Sequence, residues 1–236
     1  MSEFKFKQFT INQDRCAMKI GTDSMLLGAW TSVNHNPFNV LDIGTGTGIL
    51  SLMIAQRSHA EQIEAIEIDD DAFEQCVENF EQSPWNDRLF CFHASLFEYI
   101  EAVDEKFDLI ICNPPFYSED YKTQNKSRNL ARFSDAMPLE HIIFAVINFL
   151  SENGKFSIIV PYKEEEIVIE EASLIKLFPN RILHVKGNPN SEKKRSLIEF
   201  SYKKNKVNTE VLVIETERHQ YTQDYINLTK DFYLKM

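Results

Sequence analysis

Short runs of consecutive apolar residues alternate, along most of this chain, with stretches in which apolar side chains recur every third or fourth position. The first pattern suits strands buried on both faces, and the second suits amphipathic helices. Strands are predicted at 38–43, 62–68, 89–93, 106–112, 155–161, 181–186 and 196–202, and helices near 22–31, 47–57, 70–81, 137–151 and 163–177. Such alternation predicts an α/β fold, with a seven-stranded, mostly parallel sheet and helices on both faces. Only Gly187-Asn188-Pro189-Asn190 separates the last two strands, so they form a hairpin that supplies an antiparallel strand at the sheet edge. Beyond it, the apolar run Val211-Leu212-Val213-Ile214 precedes an amphipathic stretch over 221–235. There Tyr221, Tyr225, Leu228, Phe232 and Tyr233 are spaced for a packed terminal helix. No repeat or low-complexity linker interrupts the pattern, and residues 1–236 are expected to form one domain.

Composition adds limits. A chain of 236 residues has room for one α/β domain with a substantial core. Hydrophobic residues at 43% and charged residues at 26% are the proportions of an ordinary globule. The N-terminus shows no apolar segment of signal-peptide or membrane-spanning type, so a cytoplasmic protein with no membrane partner is expected. Cys16, Cys76, Cys91 and Cys112 lack metal-ligand spacing and the six histidines form no ligand pair. They read as reduced thiols, with no metal site.

The net charge of −11 argues against a nucleic-acid partner until its distribution is considered. Lys122, Lys126, Arg128 and Arg132 fall within 121–134, which contains no acid. Lys193, Lys194, Arg195, Lys203, Lys204 and Lys206 fall within 193–206, where Glu199 is the one acid. The acids gather in 64–81 and 163–171. Either basic run can be a solvated loop. Together they make an acidic body with a basic rim, which can steer RNA into a cleft with strong salt sensitivity.

The chemistry-bearing stretch is Asp108-Leu109-Ile110-Ile111-Cys112-Asn113-Pro114-Pro115-Phe116. The prolines end a buried strand, since neither can donate to the ladder, and hold the backbone extended. An amide side chain, outward carbonyls and an aromatic ring are thereby gathered in one short span. This suits a planar substrate bearing an NH2 group: Asn113 and the Pro114 carbonyl accept from the amine, while Phe116 stacks on the plane and Pro115 stiffens the turn. The plainer reading is a strand ended by proline with Asn113 as a turn residue. Upstream, Asn39-Val40-Leu41-Asp42-Ile43 enters Gly44-Thr45-Gly46-Thr47-Gly48 and then the apolar run from Ile49 to Ala55. Strand, glycine turn and helix form a ligand cradle, because alternate glycines let backbone approach where a Cβ would collide. Ile49 stands where a dinucleotide fingerprint requires its last glycine, and Asp42 is ill placed for a pyrophosphate. Asp42 could instead hold a cationic or hydroxyl group. Glu67 ends the next strand about 20 residues on, where a carboxylate can accept from both ribose hydroxyls; the run Asp69-Asp70-Asp71 after it suits a helix cap.

With these motifs in this order, the chain resembles the class I S-adenosylmethionine-dependent methyltransferases, a Rossmann-like fold, in the branch marked by Asn-Pro-Pro-aromatic. Phe4-Lys5-Phe6-Lys7-Gln8-Phe9, Asp14–Asp23, Leu26-Leu27-Gly28-Ala29-Trp30, Gln82-Ser83-Pro84-Trp85 and Asp231-Phe232-Tyr233-Leu234 resemble in particular the bacterial tRNA1(Val) adenine-N6 methyltransferases. The resemblance implies S-adenosylmethionine as cofactor and methyl transfer to the exocyclic N6 of an adenine in a tRNA anticodon loop, adenosine 37 of tRNA1(Val), by a monomer. It implies residues 1–36 as a cap over cofactor and substrate, and 204–236 as an extension packed on the core. Lys19, Gly21, Thr22 and Asp23 would close over the methionine moiety, although Thr22 or Asp23 can equally be a helix N-cap. Asp42, Gly44, Gly46 and Gly48 would line the methionine and ribose, and Glu67 the ribose. Asn113 would also touch the cofactor. Ser95 stands where many relatives carry an acid for the cofactor adenine, with Leu96 and Phe97 beside it to sandwich the ring. Pro115 and Phe116 would bind the substrate, Phe116 stacking on the target base, and Lys122, Lys126, Arg128, Arg132, Lys193, Lys194 and Arg195 would contact the RNA.

Other acceptors use the same logic. Glutamine-N5 methylation of a protein needs an amide NH2, but those relatives carry a helical domain before the glycine turn, and only 41 residues precede Asp42 here. Guanine-N2 methylation of ribosomal RNA is the second alternative. DNA adenine methylation usually brings a recognition insertion for which there is little room. A cofactor-binding RNA chaperone would not need Asn113-Pro114-Pro115-Phe116.

Overall fold

The computed structural model describes residues 3–115 and 137–235. A small hairpin opens the chain, β1 (Glu3–Lys5) against β2 (Thr10–Asn12), followed by α1 (Thr22–Trp30). Strands and helices then alternate through β3 (Asn39–Ile43), α2 (Ile49–Arg57), β4 (Gln62–Glu67), α3 (Asp70–Glu81), β5 (Leu89–His93), α4 (Leu96–Ala102) and β6 (Phe107–Cys112). Next come α5 (Leu139–Phe149), β7 (Leu150–Pro161), α6 (Glu165–Leu174), β8 (Phe178–Lys186) and β9 (Lys193–Ser201). The chain closes with β10 (Asn208–Val213), a short pair of β11 (Glu215–Glu217) and β12 (Gln220–Tyr221), and α7 (Gln223–Thr229).

The described residues form one large sheet in the order β10-β8-β9-β7-β6-β3-β4-β5. Side-chain alternation along each strand divides the core in two. Val40, Ile63, Leu109 and Ile111 face α1, α2 and α3; Leu41, Ile43, Ile110 and Cys112 face α4, α5 and α6. Both faces are thus covered, which explains the unbroken apolar runs in the central strands. The chain winds outward from β3 to β5 and then returns to lay β6 beside β3. The order reverses at that point, opening a crevice at the carboxyl ends of β3 and β6.

Two expectations about the sheet are corrected. It has eight strands rather than seven, because Val211-Leu212-Val213 belong to β10, which adds in parallel outside β8. The antiparallel strand is not at the edge. β8 leaves a gap one strand wide beside β7, and β9, returning through Gly187-Asn188-Pro189-Asn190, fills it and bonds antiparallel to both neighbours. That interior place buries Leu197, Ile198 and Phe200 completely. The terminal helix is also shorter than its apolar spacing suggests. Thr222 caps α7, and after Thr229 the chain carries Phe232 back to Lys7, whose N–H donates to the Phe232 carbonyl at 2.9 Å. Phe4, Phe6, Phe9, Trp85 and Tyr233 join there in one aromatic cluster, with neighbouring ring centroids 4.6–6.3 Å apart. Segments from opposite ends of the sequence therefore meet.

Candidate active site

Strand register sets the site. Phe92, Ile66, Ile43, Cys112 and Ile158 lie in one row across β5, β4, β3, β6 and β7. One residue further toward the carboxyl edge come His93, Glu67, Gly44 and Asn113. Neighbouring strands are spaced by about 4.8 Å, so Glu67, Gly44 and Asn113 follow one another along the crevice. Residues 23 and 69 positions apart in sequence are thus brought to one ledge.

In the turn after β3, Gly44, Gly46 and Gly48 all take left-handed φ values, +68°, +57° and +81°. Gly48 caps α2, and a Cβ there would lie 2.6 Å from the buried Phe80 ring. Gly46 is different: a Cβ there meets nothing within 4 Å. This half-buried glycine is therefore required by conformation, and the space beside its Cα is left open for a ligand rather than closed by packing. The Gly46 N–H donates to Glu67 Oε2 at 2.8 Å, while Glu67 Oε1 accepts from the N–H groups of Ile68 and Asp69. Glu67 is thereby aimed across the turn with lone pairs remaining for hydroxyl donors. An open glycine cradle, a strand-end carboxylate and a half-buried Asn113 fit the ribose and methionine ends of S-adenosylmethionine.

Asp42 faces the other way. Being on the same side of β3 as Val40, it points beneath the turn and is fully buried. Oδ2 accepts from Thr45 Oγ1 at 2.7 Å, from Ser51 Oγ at 2.8 Å and from Ser51 N at 3.2 Å, while Oδ1 has no partner. Burial pushes its carboxyl up to about 6, against the lowering effect of the Thr45 and Ser51 bonds. Asp42 holds the turn to the start of α2 rather than presenting itself to a ligand, and the expectation of direct contact is corrected accordingly.

The N-terminal segment is stitched beside the same turn. Buried Asn79 on α3 accepts from Asn12 N at 2.8 Å and donates to the carbonyls of Asn12 and Thr47, both at 2.9 Å. Buried Gln75 accepts from Arg15 N and donates to Asp14, and Gln13 accepts from Ile20 N. Neither Thr22 nor Asp23 caps α1; Gly21 occupies the cap position and both residues stand in the first turn. Lys19 and Thr22 are exposed. Asp23 is half-buried and paired, its Oδ2 accepting from Arg195 Nε at 2.8 Å. Arg195, expected on the RNA, is thus engaged by Asp23 in the first turn of α1.

Asn113 is half-buried, Pro114 buried and Pro115 half-buried. Phe116, Lys122, Lys126, Arg128 and Arg132 lie outside the described residues. Ser95 is the N-cap of α4 in a reciprocal capping box: its hydroxyl accepts from Glu98 N, and Glu98 Oε2 accepts from Ser95 N. Its acceptor function is therefore engaged by the helix, and the Ser-x-x-Glu spacing at 95–98 is the sequence signal for that role. Leu96 packs into the core, while Phe97 stays 44% exposed with its ring 4.6 Å from His141. Phe97, like Ile68 beside Glu67, offers exposed apolar surface at this edge. Sequence reasoning missed Thr45, Ser51 and Asn79 as the groups that fix the turn. The contacts with Asn12 and Thr47 account for the buried Asn79 amide on α3, as those with Arg15 and Asp14 do for Gln75.

Lys193 and Lys194 open β9. The antiparallel register Pro161↔Arg195 puts them at the carboxyl end of β7, on the Asn113 side of the molecule. Among the described residues no group of three or more His, Cys, Asp or Glu could hold a metal, and no helix is long and apolar enough to cross a membrane. The cysteines are unpaired, and burial pushes the Cys16 thiol up to about 12, so it stays protonated.

Comparison with known proteins follows the same lines. Residues 17–163 match the family model described as "Methyltransferase small domain". A protein of Flavobacterium psychrophilum named tRNA1(Val) (adenine(37)-N6)-methyltransferase is 58% identical over 233 residues, covering 99% of this chain and all of that protein. A protein of the same name from Flavobacterium johnsoniae is 58% identical over 234 residues, with the same coverage. Among solved structures, a predicted O-methyltransferase from Agrobacterium tumefaciens superposes with a TM-score of 0.68 at 19% identity, over 89% of this chain and 96% of that one. At that identity the match speaks for the fold alone.

Proposed function

Since the chain belongs to the methyltransferase small-domain family and to the tRNA1(Val) (adenine(37)-N6)-methyltransferases, we propose that it methylates the N6 of adenosine 37 in the anticodon loop of tRNA1(Val), in the cytoplasm. The carrying observation is the ledge on which Glu67, Gly44 and Asn113 stand in register over the open Gly46. When bound, S-adenosylmethionine supplies an electrophilic methyl group on a sulfonium.

Glu67 accepts from the ribose hydroxyls, and the backbone at Gly44 and Gly46 follows the ligand where no Cβ interferes. Asp42, Thr45 and Ser51 keep that turn in shape. The Lys19–Asp23 segment, tied down through Gln13 at Ile20 and Arg195 at Asp23, closes over the methionine end. An exocyclic amine is a weak nucleophile because its lone pair is delocalised into the ring. The Asn113 side-chain oxygen and the Pro114 carbonyl accept from its N–H groups and turn the lone pair toward the methyl. Phe116 stacks on the base, which lies splayed in the loop. Rate enhancement then comes from positioning and from fixed dipoles, with no strong base required before attack. The amine proton leaves to solvent after transfer.

Transcribed tRNA1(Val) tests the substrate directly. Wild-type protein transfers labelled methyl to it and not to the transcript with guanine in place of adenine 37. Equal labelling of both transcripts would place the methyl elsewhere.

A further inference from the structure

The Glu165, His184 and Ser196 side chains form a buried polar cluster that the mechanism does not use. His184 Nε2 lies 2.8 Å from Glu165 Oε2, and the same oxygen accepts from Ser196 Oγ. Ser196 is fully buried, and His184 is 6% exposed, with Nδ1 lacking any partner. The ring is thus held on one side by the Glu165 carboxylate, which fixes its plane. A core strand pair has no need of so polar a set, and apolar side chains would pack there at lower cost. The cluster supports one surface residue. The His184 ring stands at 88° to Tyr162, with centroids 5.1 Å apart.

Tyr162 follows Pro161, the last residue of β7, and is 39% exposed. In β7, Ile159 is level with Asn113, so Tyr162 stands about 10 Å further out along the same edge of the crevice. Across the hairpin, Lys193 Nζ lies 3.4 Å from the Tyr162 hydroxyl and 4.7 Å from its ring centroid. A phenol donor and an ammonium thus sit side by side at the mouth of the site. Lys186, the register partner of Lys193, and the exposed Lys163 and Lys194 add positive charge around them.

We propose that Tyr162 and Lys193 together bind one backbone phosphate of the RNA, flanking the nucleotide held at Asn113. The proposal rests on the tRNA reading above and adds to it a tyrosine from outside the basic run and a buried brace that fixes it. Lys193 neutralises the phosphate charge, and Tyr162 donates a hydrogen bond to a second phosphate oxygen. The contact positions the strand without reading its sequence.

The test is tRNA affinity measured against salt concentration for wild type, Lys193→Gln and Tyr162→Phe, with S-adenosylmethionine affinity measured on the same samples. Loss of one phosphate contact makes the Lys193→Gln plot of log K against log salt shallower by about 0.7–0.9. Tyr162→Phe weakens binding several-fold at an unchanged slope. Cofactor affinity stays at the wild-type value in both. An unchanged slope for Lys193→Gln beside a wild type that binds tRNA overturns the phosphate contact alone. A parallel fall in cofactor affinity also overturns it, by making the pair part of the cofactor site. If wild-type protein fails to bind tRNA at any salt concentration, the substrate reading itself falls and takes the contact with it.

Discussion

Arg195 Nε donates to Asp23 Oδ2 at 2.8 Å, joining the first residues of β9 to the first turn of α1. The pair ties the N-terminal segment to a strand beside the crevice that holds Glu67, Gly44 and Asn113. It gives Arg195 a role that its basic neighbours do not have.

Removing this pair is expected to touch the cofactor before the RNA. Both side chains are more than a third exposed, and such pairs contribute about 0.2–1 kcal/mol. Arg195→Ala is therefore expected to lower the melting temperature by about 1–4 °C and to raise the KM for S-adenosylmethionine more than that for tRNA. Exchanging the charges, Asp23→Arg with Arg195→Asp, should recover most of the loss. A variant whose tRNA affinity falls while its cofactor KM holds would return Arg195 to the RNA interface.

Gly46 and Gly48 make a contrasting pair. Both have left-handed φ, so alanine at either position costs about 1–2 kcal/mol. At Gly48 the new methyl also meets the Phe80 ring, and overpacking adds about 1–3 kcal/mol. At Gly46 it projects into open space. Gly48→Ala should show the larger loss of melting temperature, and Gly46→Ala the larger loss of cofactor affinity relative to its stability. Calorimetry and equilibrium binding on the two variants distinguish these outcomes.

Asp42 predicts a pH effect of defined sign. Its folded carboxyl titrates near 6 against an ordinary value of 3.8, so between about pH 4 and 6 the folded state holds a proton that the unfolded chain has released. Stability from this group is present below that window and is lost as pH rises through it, by on the order of 1–3 kcal/mol. Asp42→Asn removes the titration. Relative to wild type, the variant should gain stability from pH 4 to pH 7 in chemical denaturation. A constant difference across that range would contradict the burial argument.

Much of this was legible in the chain. Apolar runs located the seven expected strands because strands buried on both faces carry few polar residues, and Gly44–Gly48 and Asn113-Pro114-Pro115 fell at their carboxyl ends as read. What periodicity does not encode is which strand lies beside which. The insertion of β9 between β7 and β8, and the addition of β10 outside, follow from a tertiary gap that no local pattern describes. Short elements escaped for a related reason: α4 spans only two turns, and its capping box at Ser95 and Glu98 was overshadowed by a ligand role for Ser95. Asp42 shows the same limit at the site. Its position beside the glycines was clear, but its direction was set by strand alternation and by Ser51, nine residues later.

The central claim is that Asn113 presents an adenine amine to the methyl group. Wild type and Asn113→Ala should be incubated with labelled S-adenosylmethionine and unmodified tRNA, and the RNA digested to nucleosides. The account predicts N6-methyladenosine with wild type and a loss of at least about 100-fold in Asn113→Ala, at the lower end of what a positioned catalytic group contributes. Label in guanosine or protein with tRNA left unmodified, or full activity in Asn113→Ala, would contradict it.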